Sequence, residues 1–192
     1  MGNRIAKSPT PRNDTNVSFR QLPTPSTPAP RWAVWLATGL GVGRLPLMPG
    51  TYGSALGVAV YLGLAALANR TAYPRLGLCA AAVALTGSSL FLISVALRSF
   101  LEEDPPAIVL DEVAGQVLAL LPLPLAAPAT NSYWEAVAAG FLLFRSLDSI
   151  KPYPISKLER LEGPWGILAD DIGAALVAAV LLWGLLHLWS PF

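Results

Sequence analysis

The sequence predicts an all-α, multi-pass helical membrane protein with about four to five hydrophobic helices. Of its 192 residues, 54% are hydrophobic and only 13% are charged, whereas a soluble domain usually carries about 25% charged residues. Long uncharged runs alternate with short polar stretches rich in glycine and proline. Helices are the expected spanning elements, because an open sheet edge would leave backbone groups without hydrogen bonds in hydrocarbon.

Residues 1–31 differ in composition from the rest of the chain. They carry five basic residues against a single acidic one, Asp14, among many prolines, serines and threonines. Such a stretch buries too little apolar surface to offset the entropy lost on ordering. We therefore expect a disordered, proline-rich basic tail at 1–31 and one membrane-embedded domain at 32–192.

The first half of this domain contains three hydrophobic segments of different length. Trp32–Gly43 has twelve uncharged residues, too few to cross a hydrocarbon core of ~30 Å, so we expect a re-entrant or interfacial N-terminal segment. Gly53–Asn69 is just long enough to cross. Leu76–Leu97 has 22 uncharged residues and is the clearest transmembrane helix in the chain.

The second half contains one interrupted and one continuous segment. Three prolines break Val113–Trp134, which predicts a helix on either side of the break, the second continuing to Phe144. Ile172–Phe192 is uncharged apart from a histidine and makes the last crossing.

This order of membrane crossings places the charged motifs on one membrane face. If the basic tail stays in the cytoplasm, as the positive-inside tendency suggests, an even number of crossings separates Arg44, Asp111, Asp148, Lys151 and Asp170. We therefore expect them at the cytoplasmic face of the cell (inner) membrane.

The first polar cluster is the glycine- and proline-rich stretch that holds Arg44, Thr51 and Ser54. Its backbone N–H groups, two hydroxyls and arginine can bind an anion at the start of the next helix. The alternative is a membrane-entry loop whose arginine extends to the interface. Spacing alone does not decide between the two.

The second cluster places Asp111 and Glu112 side by side at the start of an apolar helix. A carboxylate there is costly unless it is paired or bound to a metal. Helix capping could explain one acidic residue. Two adjacent acidic residues favour a metal site.

The third and fourth clusters supply the remaining candidates. Asp148 and Lys151 are three residues apart and share a helix face, although an exposed ion pair ending a helix before a proline is a common alternative. Asp170 and Asp171 could cap the last helix. A glycine two residues later instead suggests close helix contact beside a bound cation.

Together these residues predict a magnesium–phosphate site, because carboxylates are hard oxygen ligands and Arg44 and Lys151 can bind phosphate. Other phosphatase chemistries lack their residues: the only cysteine, Cys79, is followed six positions later by Leu85 rather than arginine, and the one histidine, His187, lies near the C-terminus. A formal net charge of +1 gives no indication of nucleic acid as a partner.

Four motifs resemble the bacterial phosphatidylglycerophosphatase A family: Pro49–Ser54, Asp111–Gln116, Phe144–Pro152 and Gly166–Ile172. The resemblance implies an all-helical membrane enzyme that uses Mg²⁺ to hydrolyse phosphatidylglycerol phosphate, a phospholipid in the bilayer, to phosphatidylglycerol and inorganic phosphate.

The resemblance also implies roles for individual residues. The catalytic set would be Asp111, Glu112, Asp148, Lys151 and Asp171. Substrate would be bound by Arg44, Thr51, Ser54 and Lys151, and the metal by Asp111, Glu112, Asp148, Asp170 and Asp171. The chain departs from the family pattern before the second motif, where Glu102 and Glu103 lie, and this departure weakens any role for either residue. Direct attack by water and transfer through a carboxylate both stay open.

Two alternative functions can be compared with the same residues. In a small transporter, acidic residues inside the membrane would line a cation pathway, but they would then lie in the middle of helices rather than beside glycine and proline turns. A different lipid headgroup enzyme of the phosphotransferase type would need several aspartates spaced along one helix, a pattern that the sequence lacks.

Overall fold

The computed structural model describes residues 28–125 and 130–188, which form six α-helices and short 3-10 turns, with no strand in these two ranges. This confirms the all-α prediction. The helices are α1 (Arg31–Ala37), α2 (Pro49–Ala68), α3 (Pro74–Ala96), α4 (Leu110–Ala119), α5 (Asn131–Ile150) and α6 (Pro164–Leu188), and the 3-10 turns are Val42–Arg44, Leu97–Ser99 and Ile155–Arg160.

Three of the described helices are long and apolar enough to cross a membrane: α2, α3 with the turn that follows it, and α6. The sequence estimate of four to five hydrophobic helices was therefore approximate. α5 has 20 residues but carries Glu135, Arg145 and Asp148. α1 has seven residues and spans only about 10 Å, which agrees with an interfacial or re-entrant N-terminal segment.

The predicted proline break separates α4 from α5. α4 has ten residues, about 15 Å of helix, and the chain then turns before the prolines. The carbonyl groups left free beyond α4 accept hydrogen bonds from the α2–α3 region: Arg75 donates to Leu121 and Leu123 at 2.9 and 2.8 Å, and Asn69 donates to Leu125 at 2.8 Å. These contacts hold a short helix at a fixed depth.

Glycines let α2 and α4 run side by side in the same direction. A Cβ atom on Gly53 would lie 2.8 Å from the Cβ of Val109, and one on Gly57 would lie 2.7 Å from the Cβ of Gln116. Even a methyl group would overlap the neighbouring helix at both positions. Small residues of this kind allow close backbone approach between membrane helices.

The polar ends of the helices lie together at one end of the bundle. α2, α4 and α6 begin there, while α3 and α5 end there, so residues far apart in sequence line a common cavity. α4 and α6 also approach closely, since a Cβ on Gly115 would lie 3.4 Å from the carbonyl oxygen of Asp171. This geometry brings acidic residues of two helices together.

The prediction of a disordered tail at 1–31 concerns mainly residues 1–27, which lie outside the described residues. Residues 28–30 precede α1 without regular structure. The backbone N–H of Ala29 donates a hydrogen bond of 2.8 Å to the hydroxyl of Ser99, which joins the start of the described chain to the end of α3.

The packing of α2 on α4 can be tested with two alanine substitutions in one helix. Gly57→Ala should lower the free energy of unfolding by about 1–3 kcal/mol, because the new methyl group meets a Val113 carbonyl and a Gln116 side chain that have little room to move. Gly63→Ala is the matched control, since no neighbouring atom lies within 4 Å of its added Cβ. The measurement is thermal unfolding in detergent. Equal midpoints for the two variants would contradict the close packing.

Candidate active site

A cavity of about 990 Å³ lies at the end of the bundle where α2, α4 and α6 begin. Its wall combines the starts of these helices with the end of α5 and the loops 102–106 and 159–163. Ten acidic and three basic residues line it. We call it the acidic cavity.

Three carboxylates form the centre of this cavity. Asp111 and Glu112 lie in the first turn of α4, and Asp171 lies about two turns into α6. One carboxylate oxygen from each lies within 4.8 Å of the others. Only 7% of Asp111 and 4% of Asp171 is exposed. We call these three residues the acid triad.

Each member of the acid triad has a buried oxygen without a hydrogen-bond partner: Asp111 Oδ1, Glu112 Oε2 and Asp171 Oδ2. Burying an unpaired charge is costly, and three like charges this close also repel one another. A divalent cation satisfies all three oxygens at once, and Mg²⁺ prefers carboxylate oxygen ligands. The donor set therefore fits a magnesium ion.

Two basic residues border the triad, each held by a carboxylate. Arg145 forms an ion pair with Asp148, three residues later on α5. Lys151 Nζ lies 2.6 Å from an oxygen of Asp170 and 3.2 Å from one of Glu159. Both cations are therefore oriented before any ligand arrives.

The backbone at Lys151 explains how its side chain leaves α5. The following residue is a proline, which disfavours helical geometry at the preceding position, and Lys151 adopts a left-handed conformation with φ of 45°. Such a conformation is uncommon for a residue other than glycine. It ends α5 and lets the ammonium group reach Asp170 on α6.

Electrostatics keep Lys151 charged. Burial lowers the pKa of this ammonium group, but the hydrogen bond and charge of Asp170, followed by those of Glu159, outweigh burial and hold the pKa above its ordinary value. On the cavity wall, burial raises the pKa of Asp104, and the nearby charge of Lys151 only partly opposes this rise. The cavity thus keeps a fixed positive charge beside its carboxylates.

Close packing explains why position 50, in the motif Pro49–Ser54, is a glycine. A Cβ at this position would lie 2.5 Å from Glu112 Oε1 and 3.1 Å from Arg145 Nη2. The start of α2 therefore leaves room for a carboxylate and a guanidinium group. Arg145 was not among the site residues expected from sequence, although its spacing of three residues from Asp148 was a usable signal.

The sequence-predicted residues fall into two groups. Those that line the acidic cavity are Asp111, Glu112, Asp148, Lys151, Asp170 and Asp171. Of the five predicted metal ligands, three form the acid triad: Asp111, Glu112 and Asp171. The other two, Asp148 and Asp170, each form an ion pair with a basic residue.

The other predicted residues do not line the acidic cavity. Ser54 is fully buried and donates a hydrogen bond of 3.0 Å to the carbonyl of Gly50. Thr51 lies in the first turn of α2, and Arg44 lines a smaller cavity beside α1. Glu102 and Glu103, which lie outside the matching motifs, are on the wall of the acidic cavity.

Comparison with known proteins shows which family the chain resembles. The family model for phosphatidylglycerophosphatase A matches residues 35–186. The phosphatidylglycerophosphatase A of Escherichia coli K12 is 34% identical over 157 residues, 80% of this chain and 83% of that protein. The Haemophilus influenzae protein of the same name is 31% identical over 164 residues, 78% of this chain and 86% of its own.

A Bacteroides thetaiotaomicron protein provisionally named a phosphatidylinositol-3-phosphatase is 34% identical over 149 residues, 78% of this chain and 90% of that protein. No solved structure matches the chain. The family model confirms the resemblance seen in the four motifs and favours a phosphatase over a cation transporter. The chain therefore belongs to the phosphatidylglycerophosphatase A family of membrane phosphatases.

Proposed function

We propose that this protein hydrolyses phosphatidylglycerol phosphate to phosphatidylglycerol and inorganic phosphate, with Mg²⁺ as cofactor, in phospholipid biosynthesis. The observation that carries the proposal is the acid triad beside Arg145 and Lys151, in a cavity at the ends of apolar helices. Carboxylates for a metal and cations for phosphate are the parts that phosphoryl transfer to water requires.

The charge of the cavity supports a bound cation. With ten acidic and three basic residues on its wall, the cavity alone would repel a phosphate monoester, which is itself a dianion near neutral pH. A divalent cation held by the acid triad reduces this repulsion where the phosphate must approach. A bound Mg²⁺ supplies Lewis-acid stabilisation of the negative charge that develops on the phosphoryl oxygens.

The residues around the triad then have distinct roles. Arg145 and Lys151 bind the nonbridging phosphate oxygens and stabilise charge in the transition state. Asp148 orients the guanidinium of Arg145, and Asp170 orients the ammonium of Lys151. Asp111, Glu112 and Asp171 hold the metal. This assignment moves Asp148 and Asp170 from metal ligands to positioning residues.

The position of the cavity suits a lipid substrate. The cavity lies where α2 and α6 begin and α3 ends, and these are the helices long and apolar enough to cross a membrane. A headgroup phosphate can therefore enter the cavity while its acyl chains stay among the helices. Arg31 and Arg44 lie at the same end of the bundle, and the positive-inside tendency therefore supports a cavity at the cytoplasmic face of the inner membrane.

Substrate choice is tested with a panel of phosphomonoester lipids in mixed micelles. We expect phosphate release from phosphatidylglycerol phosphate at a kcat/KM at least ~10-fold above that for phosphatidylinositol 3-phosphate and phosphatidic acid. The inositol lipid is included because one relative carries that name. A clear preference for either of the other two lipids would overturn the assigned substrate and leave the phosphatase chemistry in place.

Metal dependence is tested with the purified protein. Chelating divalent ions should abolish phosphate release, because the acid triad would then carry uncompensated charge against the substrate, and added Mg²⁺ should restore it. Full turnover in excess chelator would show that the cavity works without a divalent cation.

Separate roles for Asp171 and Asp148 predict different kinetics. Asp171→Asn should raise the Mg²⁺ concentration for half-maximal rate by roughly 100-fold, since it removes an anionic ligand. Asp148→Asn should lower kcat by roughly 100-fold through a misoriented Arg145, and its Mg²⁺ midpoint should stay within about threefold of wild type.

The matched control is Glu135→Gln, an exposed acidic residue on the same helix as Asp148 but about 20 Å away along its axis. It should behave like wild type. If Asp148→Asn shifts the Mg²⁺ midpoint as far as Asp171→Asn does, then Asp148 is a metal ligand, as the resemblance first implied.

A further inference from the structure

A second, smaller cavity of about 440 Å³ lies beside α1, at the same end of the bundle as the acidic cavity. Its wall combines the start of the described chain, α1, the turn that follows α1 and the last residue of the turn that follows α3. The residues that define it are Arg31, Trp32, Val34, Trp35, Arg44 and Ser99. We call it the arginine cavity.

The charge of the arginine cavity is opposite to that of the acidic cavity. Arg31 and Arg44 both line it, and no acidic residue is among its lining residues. Within residues 28–125 and 130–188, neither arginine forms an ion pair. Two unneutralised guanidinium groups in one concave site favour an anionic ligand, and guanidinium binds phosphate oxygens through paired N–H groups.

The surroundings of the cavity indicate where that ligand resides. Trp32 and Trp35 are 54% and 53% exposed, and Leu47 and Met48 in the following segment are 90% and 58% exposed. Tryptophan is enriched at the membrane–water interface, where its ring contacts both acyl chains and headgroups. An arginine pair near exposed apolar side chains is the combination expected at the depth of lipid phosphates.

We propose that the arginine cavity binds the phosphodiester headgroup of an anionic phospholipid. Arg31 and Arg44 contact the phosphate, and Trp32 and Trp35 pack along the glycerol and the upper acyl chains. This site is distinct from the one proposed for hydrolysis, since Arg44 does not line the acidic cavity. It gives Arg44 a lipid-binding role outside the reaction.

The two cavities are near neighbours. Leu97 lines the acidic cavity and Ser99 lines the arginine cavity, and both belong to the turn that ends α3. The Ser99 hydroxyl also accepts the hydrogen bond from Ala29. A lipid in the arginine cavity therefore lies in the same leaflet as the substrate, and it fixes α1 against the end of α3.

The test is thermal unfolding of the full chain in an uncharged detergent with excess chelator, which separates this site from a metal-dependent active site. We expect added phosphatidylglycerol to raise Tm by about 2–4 °C more than the same amount of phosphatidylcholine. Arg31→Gln with Arg44→Gln should remove most of that difference, and each single substitution should remove part of it. Both arginines are exposed, so the variants should fold normally without lipid.

The control variant is Arg70→Gln, an exposed arginine beyond the far end of α2, which should respond to lipid like wild type. Inorganic phosphate should leave Tm unchanged, because it lacks the acyl chains. Equal responses to the two lipids would overturn the proposal, as would a full response in the double variant. An arginine-dependent response to phosphate alone, equal to that of the lipid, would show a free-anion site instead.

Discussion

Three closely spaced carboxylates, two buried and one half-buried, impose the main electrostatic constraint on this protein, since their oxygens lie within 4.8 Å of one another. In a low-dielectric environment three such charges are costly unless protons or a cation neutralise them. The residues around the triad are arranged in agreement with this requirement for charge compensation. Two cations lie beside the triad, each held by a carboxylate of its own, and the start of α2 has a glycine where a larger residue would displace Glu112 or Arg145.

The helix packing follows from the same constraint. α4 is too short to cross a membrane and carries two of the three carboxylates, so other elements must hold it at the correct depth. Gly53 and Gly57 let it lie against α2 with almost no gap, and Arg75 and Asn69 bind the carbonyl groups beyond its other end. The contact of Gly115 with α6 then brings Asp171 to the pair on α4.

Hydropathy was sufficient to predict the helical class and the proline break, because both depend on local composition. It could not distinguish a spanning helix from α5, which is long enough to cross but carries Arg145 and Asp148 of the acidic cavity. The motifs identified six of the thirteen charged residues that line the acidic cavity. They did not show which carboxylates lie near each other and which hold a cation, because that depends on how α5 rotates against α6. They also did not show that Arg145 lines the acidic cavity, because only packing places it beside Glu112.

The central claim is that the acid triad binds a divalent cation. Electron paramagnetic resonance of Mn²⁺ added to the purified protein measures this directly, without substrate or turnover. We predict saturable Mn²⁺ binding that Mg²⁺ displaces, with affinity reduced at least ~100-fold in Asp111→Asn and unchanged in Glu135→Gln. Absence of saturable binding, or equal binding by wild type and Asp111→Asn, would contradict the metal site.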